Sequence, residues 1–153
     1  MDESLQTPAA KAFPAALAGL RSALGHVANG DVGPIKALYS HADDATSMYG
    51  WGGYEKGWEA ISRRWDWAAK QFRGGTVSHE NVTTVVGTEL ALVTDIENFE
   101  VLLPDLDAPT RWTNRVTHVF RFEGSEWRLL HRHANRLEQQ YEPAPRLAPA
   151  SGT

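Results

Sequence analysis

The apolar residues of the chain change their spacing once, near residue 75, and this change restricts the fold more than any other feature. Before it, apolar positions recur every three or four residues in the segments 13–27 and 58–72, as on one face of a helix. After it, apolar and polar residues alternate through four strand-like runs: residues 76–87, 89–103, 111–122 and 126–136. The pattern predicts an α+β domain in which helices cover one face of a curved antiparallel sheet.

Local signals set the bounds of the first segments. Thr7-Pro8 provides an N-cap and a first-turn proline, and Asn29-Gly30 ends that helix. Pro14 lies inside the pattern and predicts a kink or a late start. Asp31 can cap a second, short helix. A brief strand is predicted at Ala45–Tyr49, before the third helix.

Length and composition restrict the possible functions. With 153 residues the chain has the size of one domain, which we place at residues 7–138; the Pro- and Ala-rich tail 139–153 is expected to be mobile. A net charge of -4 provides no basic field for nucleic acid, and the absence of cysteine excludes disulfides and thiolate sites. No apolar run reaches the roughly 20 residues of a membrane helix, and no signal peptide is recognisable. A cytoplasmic protein with neither nucleic-acid nor membrane partners is expected.

Three stretches resemble one known superfamily. "GDVGPIKALYSHADDAT", "GGYEKGWEAISRRWDWAAKQF" and "TNRVTHVFRFEGSEWRLLHRHAN" are similar to segments of the nuclear-transport-factor-2-like proteins, and most similar to their SnoaL-like branch, which includes polyketide cyclases. The resemblance covers residues 10–136. It implies a cystatin-like cone, in which a strongly bent antiparallel sheet wraps around three N-terminal helices and leaves a deep pocket, in a homodimer.

The ketosteroid isomerases of this superfamily offer a test of mechanism by alignment. Their proton-shuttling aspartate falls on Tyr49, which is no carboxylate base, and their oxyanion-hole tyrosine falls on Ala23, which donates nothing. Their second oxyanion-hole group falls near His118. This alignment predicts no ketosteroid isomerase activity of that type.

Two histidines lie two apart in the last strand-like run. Strict alternation places Trp127, Leu129, His131 and His133 on one face. A metal site needs a third ligand, which no later histidine or cysteine supplies, so neither a metal nor a cofactor is predicted. The apolar character of this face predicts that it is covered by a second copy of the chain, and the resemblance then places Leu130, Arg132 and Ala134 in the pocket.

Arg132 and His118 are the candidate catalytic residues. A guanidinium in the pocket can bind a carboxylate or enolate, or it can be neutralised by Glu97 or Asp95. Arg115, likewise, can bind such a ligand group or be neutralised by a carboxylate of the protein. His118 can carry a proton near neutral pH, or it can be a structural residue.

The remaining candidates are ligand-binding residues. Tyr49, Trp51 and Tyr54 surround the glycine loop 50–54, and Trp65 lies on the third helix, so their rings can stack on a flat, apolar or cyclic molecule or simply pack the core. Asn98 can orient a ligand carbonyl. Two functions remain open: an isomerase, cyclase or dehydratase that transfers protons on an apolar carbonyl compound, and a binding or association module without turnover.

Overall fold

The computed structural model describes residues 7–137, which begin with the helices α1 (Pro8–Ala28) and α2 (Gly33–Leu38). Thr7 caps α1 by accepting a hydrogen bond from the Ala10 N–H at 3.1 Å. Helix α1 runs through Pro14, so the predicted late start is wrong. The third helix, α3 (Trp58–Ala69), follows two short strands. None of these described helices is long and apolar enough to cross a membrane. The predicted tail, 139–153, lies outside the described residues.

Six strands form one sheet. They are β1 (Thr46–Met48), β2 (Tyr54–Lys56), β3 (Gly75–Val86), β4 (Leu90–Val101), β5 (Thr110–Glu123) and β6 (Glu126–Arg136), in the order β2-β1-β6-β5-β4-β3. Neighbours are antiparallel except β1 and β6, which are parallel. The α+β class and the four long strands are confirmed. Strand β2 was not predicted, because three residues are too few to show an alternation of apolar and polar side chains.

Alternate residues of the central strands build the core against the helices. On β4 every second residue from Ala91 to Val101 is buried, as the alternation predicted. Phe13 of α1 stands edge-on to Phe120 and Trp127, with ring centroids 5.2 and 5.3 Å apart. The Trp127 indole N–H also donates to the Ala9 carbonyl at 2.7 Å, which ties β6 to the start of α1.

A bulge in β6 corrects the predicted faces of that strand. Val119 pairs with His131 while Phe120 pairs with Leu129, so Leu130 is an extra residue in the ladder. Because one inserted residue reverses the faces beyond it, the two sides of the bulge follow opposite alternations.

The predicted common face of Trp127, Leu129, His131 and His133 is therefore wrong. Trp127 and Leu129 are buried in the core on the same side as Arg132 and Ala134. The inward position expected for Leu130 is wrong as well, since this side chain is half-buried outside the core cluster.

Candidate ligand-binding site

A small cavity lies between α1, α3 and the inner face of the sheet. The space inside it that is open to a water-sized molecule is about 30 Å³, enough to hold water but too small for a molecule with rings. Six of its thirteen lining residues are aromatic: Tyr49, Trp51, Trp65, Phe72, Phe99 and Trp112. The aromatic side chains therefore fill most of the space that the bent sheet encloses.

Trp51 lines this cavity and also contacts solvent. Its ring stacks on Tyr49, with centroids 5.0 Å apart and planes 9° apart, and stands edge-on to Trp65. The residue is 40% exposed. It lies in a turn whose glycines, Gly52 and Gly53, have φ angles of 102° and 80°, a conformation that glycine adopts without strain. Trp51 is thus an exposed part of the cavity wall, and it lies on a short loop rather than on a helix or a long strand.

Arg132 forms the floor of the cavity and belongs to a buried ion pair. Arg132 Nη1 and Nη2 donate to Glu97 Oε2 and Oε1 at 2.9 and 2.8 Å, the two-pronged geometry of a guanidinium and a carboxylate. Both side chains are buried. Burial alone raises the pKa of Glu97, but the charge and hydrogen bonds of Arg132 outweigh it and hold that pKa well below its usual range. The charge of Arg132 is therefore neutralised by Glu97, which is one of the two possibilities that the sequence left open for this residue.

Two histidines extend this network. The His79 Nε2 lies 3.7 Å from Glu97 Oε2, and the second histidine is His118. Its Nε2 lies 2.7 Å from Arg132 Nη1. Because arginine only donates, this nitrogen must accept, and the ring proton is assigned to Nδ1. Burial and the positive charge of Arg132 together lower the pKa of His118 to about 3. The imidazole is thus a neutral acceptor for Arg132, and its role as a proton carrier stays a prediction that this geometry does not support.

Several buried polar atoms near the floor make no hydrogen bond within residues 7–137. Three belong to side chains that line the cavity: the Tyr49 hydroxyl, the Trp65 indole nitrogen and the Asn114 side-chain oxygen. The Ser47 hydroxyl is a fourth such atom. It lies near enough to Tyr49 to lower that phenol's pKa, although the pair lacks normal hydrogen-bond geometry. Burial has the larger effect and raises the pKa of Tyr49 to about 12, so the phenol keeps its proton.

Sequence reasoning found only part of this set. Tyr49, Trp51, Trp65 and Arg132 line the cavity, as the resemblance implied, although no ligand role of theirs is tested by this placement. Asn114 was missed. It shares the inner face of β5 with His118, so the alternation already used for that strand contains the signal.

Three other candidates do not meet the cavity. Tyr54 is 73% exposed on β2. Asn98 lies exposed on the outer face, where it accepts a hydrogen bond from the Thr113 hydroxyl at 2.8 Å. Arg115 is also exposed on the outer face. It lies three residues before His118 on β5, and residues an odd number apart in a strand point to opposite faces. Their predicted contact with a ligand in the cone is not supported by this geometry.

A second buried carboxylate has a partner from a distant part of the chain. Asp95 accepts from Arg21 of α1 at 3.2 Å and from the Asn81 side chain at 2.9 Å. The sequence suggested Arg115 or Arg132 as its partner, and both suggestions are wrong. This pair joins α1 to the middle of β4.

The two late histidines lie on the outer face. His131 Nδ1 is 2.8 Å from the Thr46 hydroxyl, and His133 is exposed. Burial, with a contribution from His133, lowers the pKa of His131. Among residues 7–137 no three His, Asp or Glu side chains converge as metal ligands.

Comparisons with known proteins agree with the fold. A family model described as a SnoaL-like domain matches residues 17–135. A nuclear transport factor 2-like superfamily protein from Salmonella enterica serovar Typhimurium has a TM-score of 0.70 at 16% identity, over 85% of this chain and 96% of that one. A ketosteroid isomerase-like protein from Erwinia carotovora atroseptica gives 0.71 at 14%, over 84% and 96%. A proposed dehydratase from Streptomyces avermitilis gives 0.67 at 19%, over 87% and 100%. No curated protein matches the sequence.

Proposed function

Because the chain belongs to the SnoaL-like domain family, within the nuclear-transport-factor-2-like superfamily, we propose that it binds a small, flat, largely apolar molecule in its cone. The observation that carries this proposal is the set of unpaired polar atoms on side chains of an otherwise aromatic cavity. Small-molecule sites combine an apolar lining with a few fixed polar groups in this way.

The energetics favour a bound partner for these atoms. A buried donor or acceptor left without a hydrogen bond costs about 1–3 kcal/mol. A ligand that pairs with Tyr49 and Trp65 removes part of this cost, and its rings replace ring contacts already present. Since the open space is only about 30 Å³, a ligand with rings enters only if a lining side chain moves, and we propose that the exposed Trp51, which stacks on Tyr49, is the one that it displaces.

A matched pair of tyrosine variants tests the proposal. A panel of bicyclic aromatic probes, 2-naphthol, 2-naphthamide and 2-naphthoate, is titrated into the protein by isothermal calorimetry. For the tightest probe, Tyr49→Phe is expected to weaken binding by about 0.5–1.5 kcal/mol, the contribution of one hydrogen bond. Tyr54→Phe makes the same chemical change at an exposed residue and should leave affinity unchanged. Failure of every probe to bind, or equal effects of the two variants, contradicts the proposal.

Catalysis by proton transfer is the second candidate. The protonated Tyr49 phenol beside Arg132 can stabilise negative charge on a ligand oxygen, as an isomerase, cyclase or dehydratase requires. The base is the weak point, because His118 accepts from Arg132 and its pKa is far below neutrality. Binding without turnover is therefore the better supported function. Chemical conversion of a bound carbonyl compound, lost in His118→Gln, would reverse this preference.

We also propose that the protein forms a homodimer through the outer face of the sheet, in the cytoplasm. The original reason, the exposure of Trp127 and Leu129, no longer applies. The support is now the exposed apolar side chains Met48 and Val82 and the half-buried Leu130. Analytical ultracentrifugation at micromolar concentration should give the mass of a dimer, and a monomer contradicts the proposal.

A further inference from the structure

We propose that the molecule bound in the cone is electrically neutral and presents a hydrogen-bond acceptor, such as a ketone or amide oxygen, to Tyr49 and Trp65. This inference rests on the proposed binding function and goes further by naming the chemical class of the ligand. It also replaces the sequence-based expectation that Arg132 selects a carboxylate or an enolate.

The charge balance of the floor carries the first half of the inference. Arg132 is the cation on the floor of the cavity, and both of its terminal nitrogens already donate to Glu97. The same Nη1 also bonds to His118, so three of the five guanidinium N–H groups are in use. A carboxylate entering this site loses its hydration and finds no unmatched positive charge. An ammonium group is disfavoured in the same way, because Glu97 is already neutralised.

The unpaired polar atoms carry the second half. The indole nitrogen of Trp65 can only donate. The Tyr49 phenol is protonated and therefore also has a hydrogen to donate. Tyr49 and Trp65 both line the cavity, so two lining residues carry a donor without a partner within residues 7–137, and this favours a ligand oxygen that accepts. Asn114 adds an amide, whose unpaired oxygen can take a hydrogen from an NH or OH group on the same ligand.

Two further cations lie near the cavity. The guanidinium carbon of Arg64 lies 5.7 Å from the centre of the Tyr49 ring, but Arg64 already donates to Glu55 at 2.9 Å. Arg136 lines the cavity wall, and its guanidinium carbon lies 5.0 Å from the centre of the Trp112 ring. The residue is exposed. An ion pair formed there remains in solvent, where such pairs contribute little. Arg136 is thus a poor selector for an anionic ligand, and this statement can be tested by substitution.

The experiment compares two probes that differ in charge and hardly in shape. Binding of 2-naphthamide and 2-naphthoate is measured by isothermal calorimetry on the full chain near neutral pH, where the first is neutral and the second is ionised. We expect the amide to bind at least about tenfold more tightly, because only the carboxylate enters with an uncompensated charge. Equal affinity, or tighter binding of the carboxylate, overturns the neutral-ligand inference while leaving the binding function intact. Binding of neither probe overturns both.

Three substitutions test the assignment to individual residues. Trp65→Phe removes the indole N–H and should weaken 2-naphthamide several-fold, whereas Trp58→Phe, at the start of α3 and outside the cavity lining, should not. Equal effects would overturn the role of Trp65. Arg136→Gln should leave the ratio of the two affinities unchanged. If this substitution selectively abolishes 2-naphthoate binding from a level comparable to that of the amide, the site recognises an anion at its mouth and the inference is wrong.

Discussion

The two faces of the sheet carry the same kind of ion pair in opposite environments. On the inner face, Glu97 and Arg132 meet at 2.8 Å with side chains that are 0% and 6% exposed. On the outer face, three residues further along β4, Glu100 and Arg111 meet at 2.9 Å with side chains that are 47% and 77% exposed. The atoms and distances are nearly the same. What differs is access to water, and this difference decides which pair can be lost without consequence.

The comparison distinguishes the groups that stabilise the fold from the groups that we propose bind a ligand. The inner pair is closed on itself and on His118, so its charge is not available to a ligand. Removing one partner of such a pair leaves an uncompensated buried charge, whereas either member of an exposed pair is hydrated when alone. The polar atoms that we propose bind a ligand are instead those of Tyr49 and Trp65, which make no hydrogen bond within residues 7–137.

The largest expected effect is on stability. Glu97→Gln should lower the free energy of unfolding by about 3–5 kcal/mol, because Arg132 keeps its charge without a counter-ion. Glu100→Gln makes the same substitution on the outer face and should cost about 0–1 kcal/mol. Urea denaturation of both variants measures the difference. A Glu97→Gln variant as stable as Glu100→Gln would show that the inner pair is hydrated and would remove the basis for a neutral floor.

A smaller effect is expected from the pH dependence of stability. The pKa of His118 falls from 6.5 to about 3 on folding, so below about pH 6.5 the unfolded chain binds a proton that the folded protein does not. Stability should therefore fall as pH falls from about 6.5 to about 5, by at most about 1.4 kcal/mol per pH unit from this group.

A substitution isolates that contribution. His118→Gln keeps an acceptor for Arg132 but does not titrate, so its stability should depend less on pH over the same range. His133→Gln, on the outer face, provides the matched control. An unchanged slope in His118→Gln would mean that His118 is accessible to protons, and would favour the catalytic alternative.

The smallest effect concerns the proposed dimer. His131 and His133 lie on the outer face, and burial already lowers the pKa of His131 in the single chain. Charging the His131 ring in an interface should weaken the dimer as pH falls below about 6.5. Sedimentation equilibrium at two pH values measures this shift. The double variant His131→Gln with His133→Gln should lose it, and retention of the full pH dependence would place the histidines outside the interface.

The long strands were predictable because their alternation is regular and extends over ten or more residues. The inward register of Asp95 and Glu97 followed from the same pattern. The bulge at Leu130 was not predictable, since nothing in the local sequence marks an extra residue there. That single residue brought Trp127 and Leu129 into the core and removed the first argument for a dimer.

The candidate site was predictable in its residue types rather than in its chemistry. Tyr49, Trp51 and Trp65 could be placed near a pocket by resemblance. The choice between a free and a neutralised Arg132 could not be made, because Glu97 lies 35 residues away in the sequence and only the register of the sheet brings the two together. The size of the cavity depends on side-chain packing and has no signal in the sequence.

The measurement that tests the central claim most directly is an NMR titration of the tryptophan indole N–H groups with 2-naphthamide. Trp65 is the probe in this titration and Trp127 is its internal control. The Trp65 nitrogen has no hydrogen-bond partner within residues 7–137, whereas the Trp127 nitrogen donates to the Ala9 carbonyl. We expect the Trp65 indole proton to move downfield as the ligand oxygen accepts from it, while the Trp127 proton stays in place. Saturable binding that leaves the Trp65 signal unmoved would contradict the claim that the cone holds a ligand by this group.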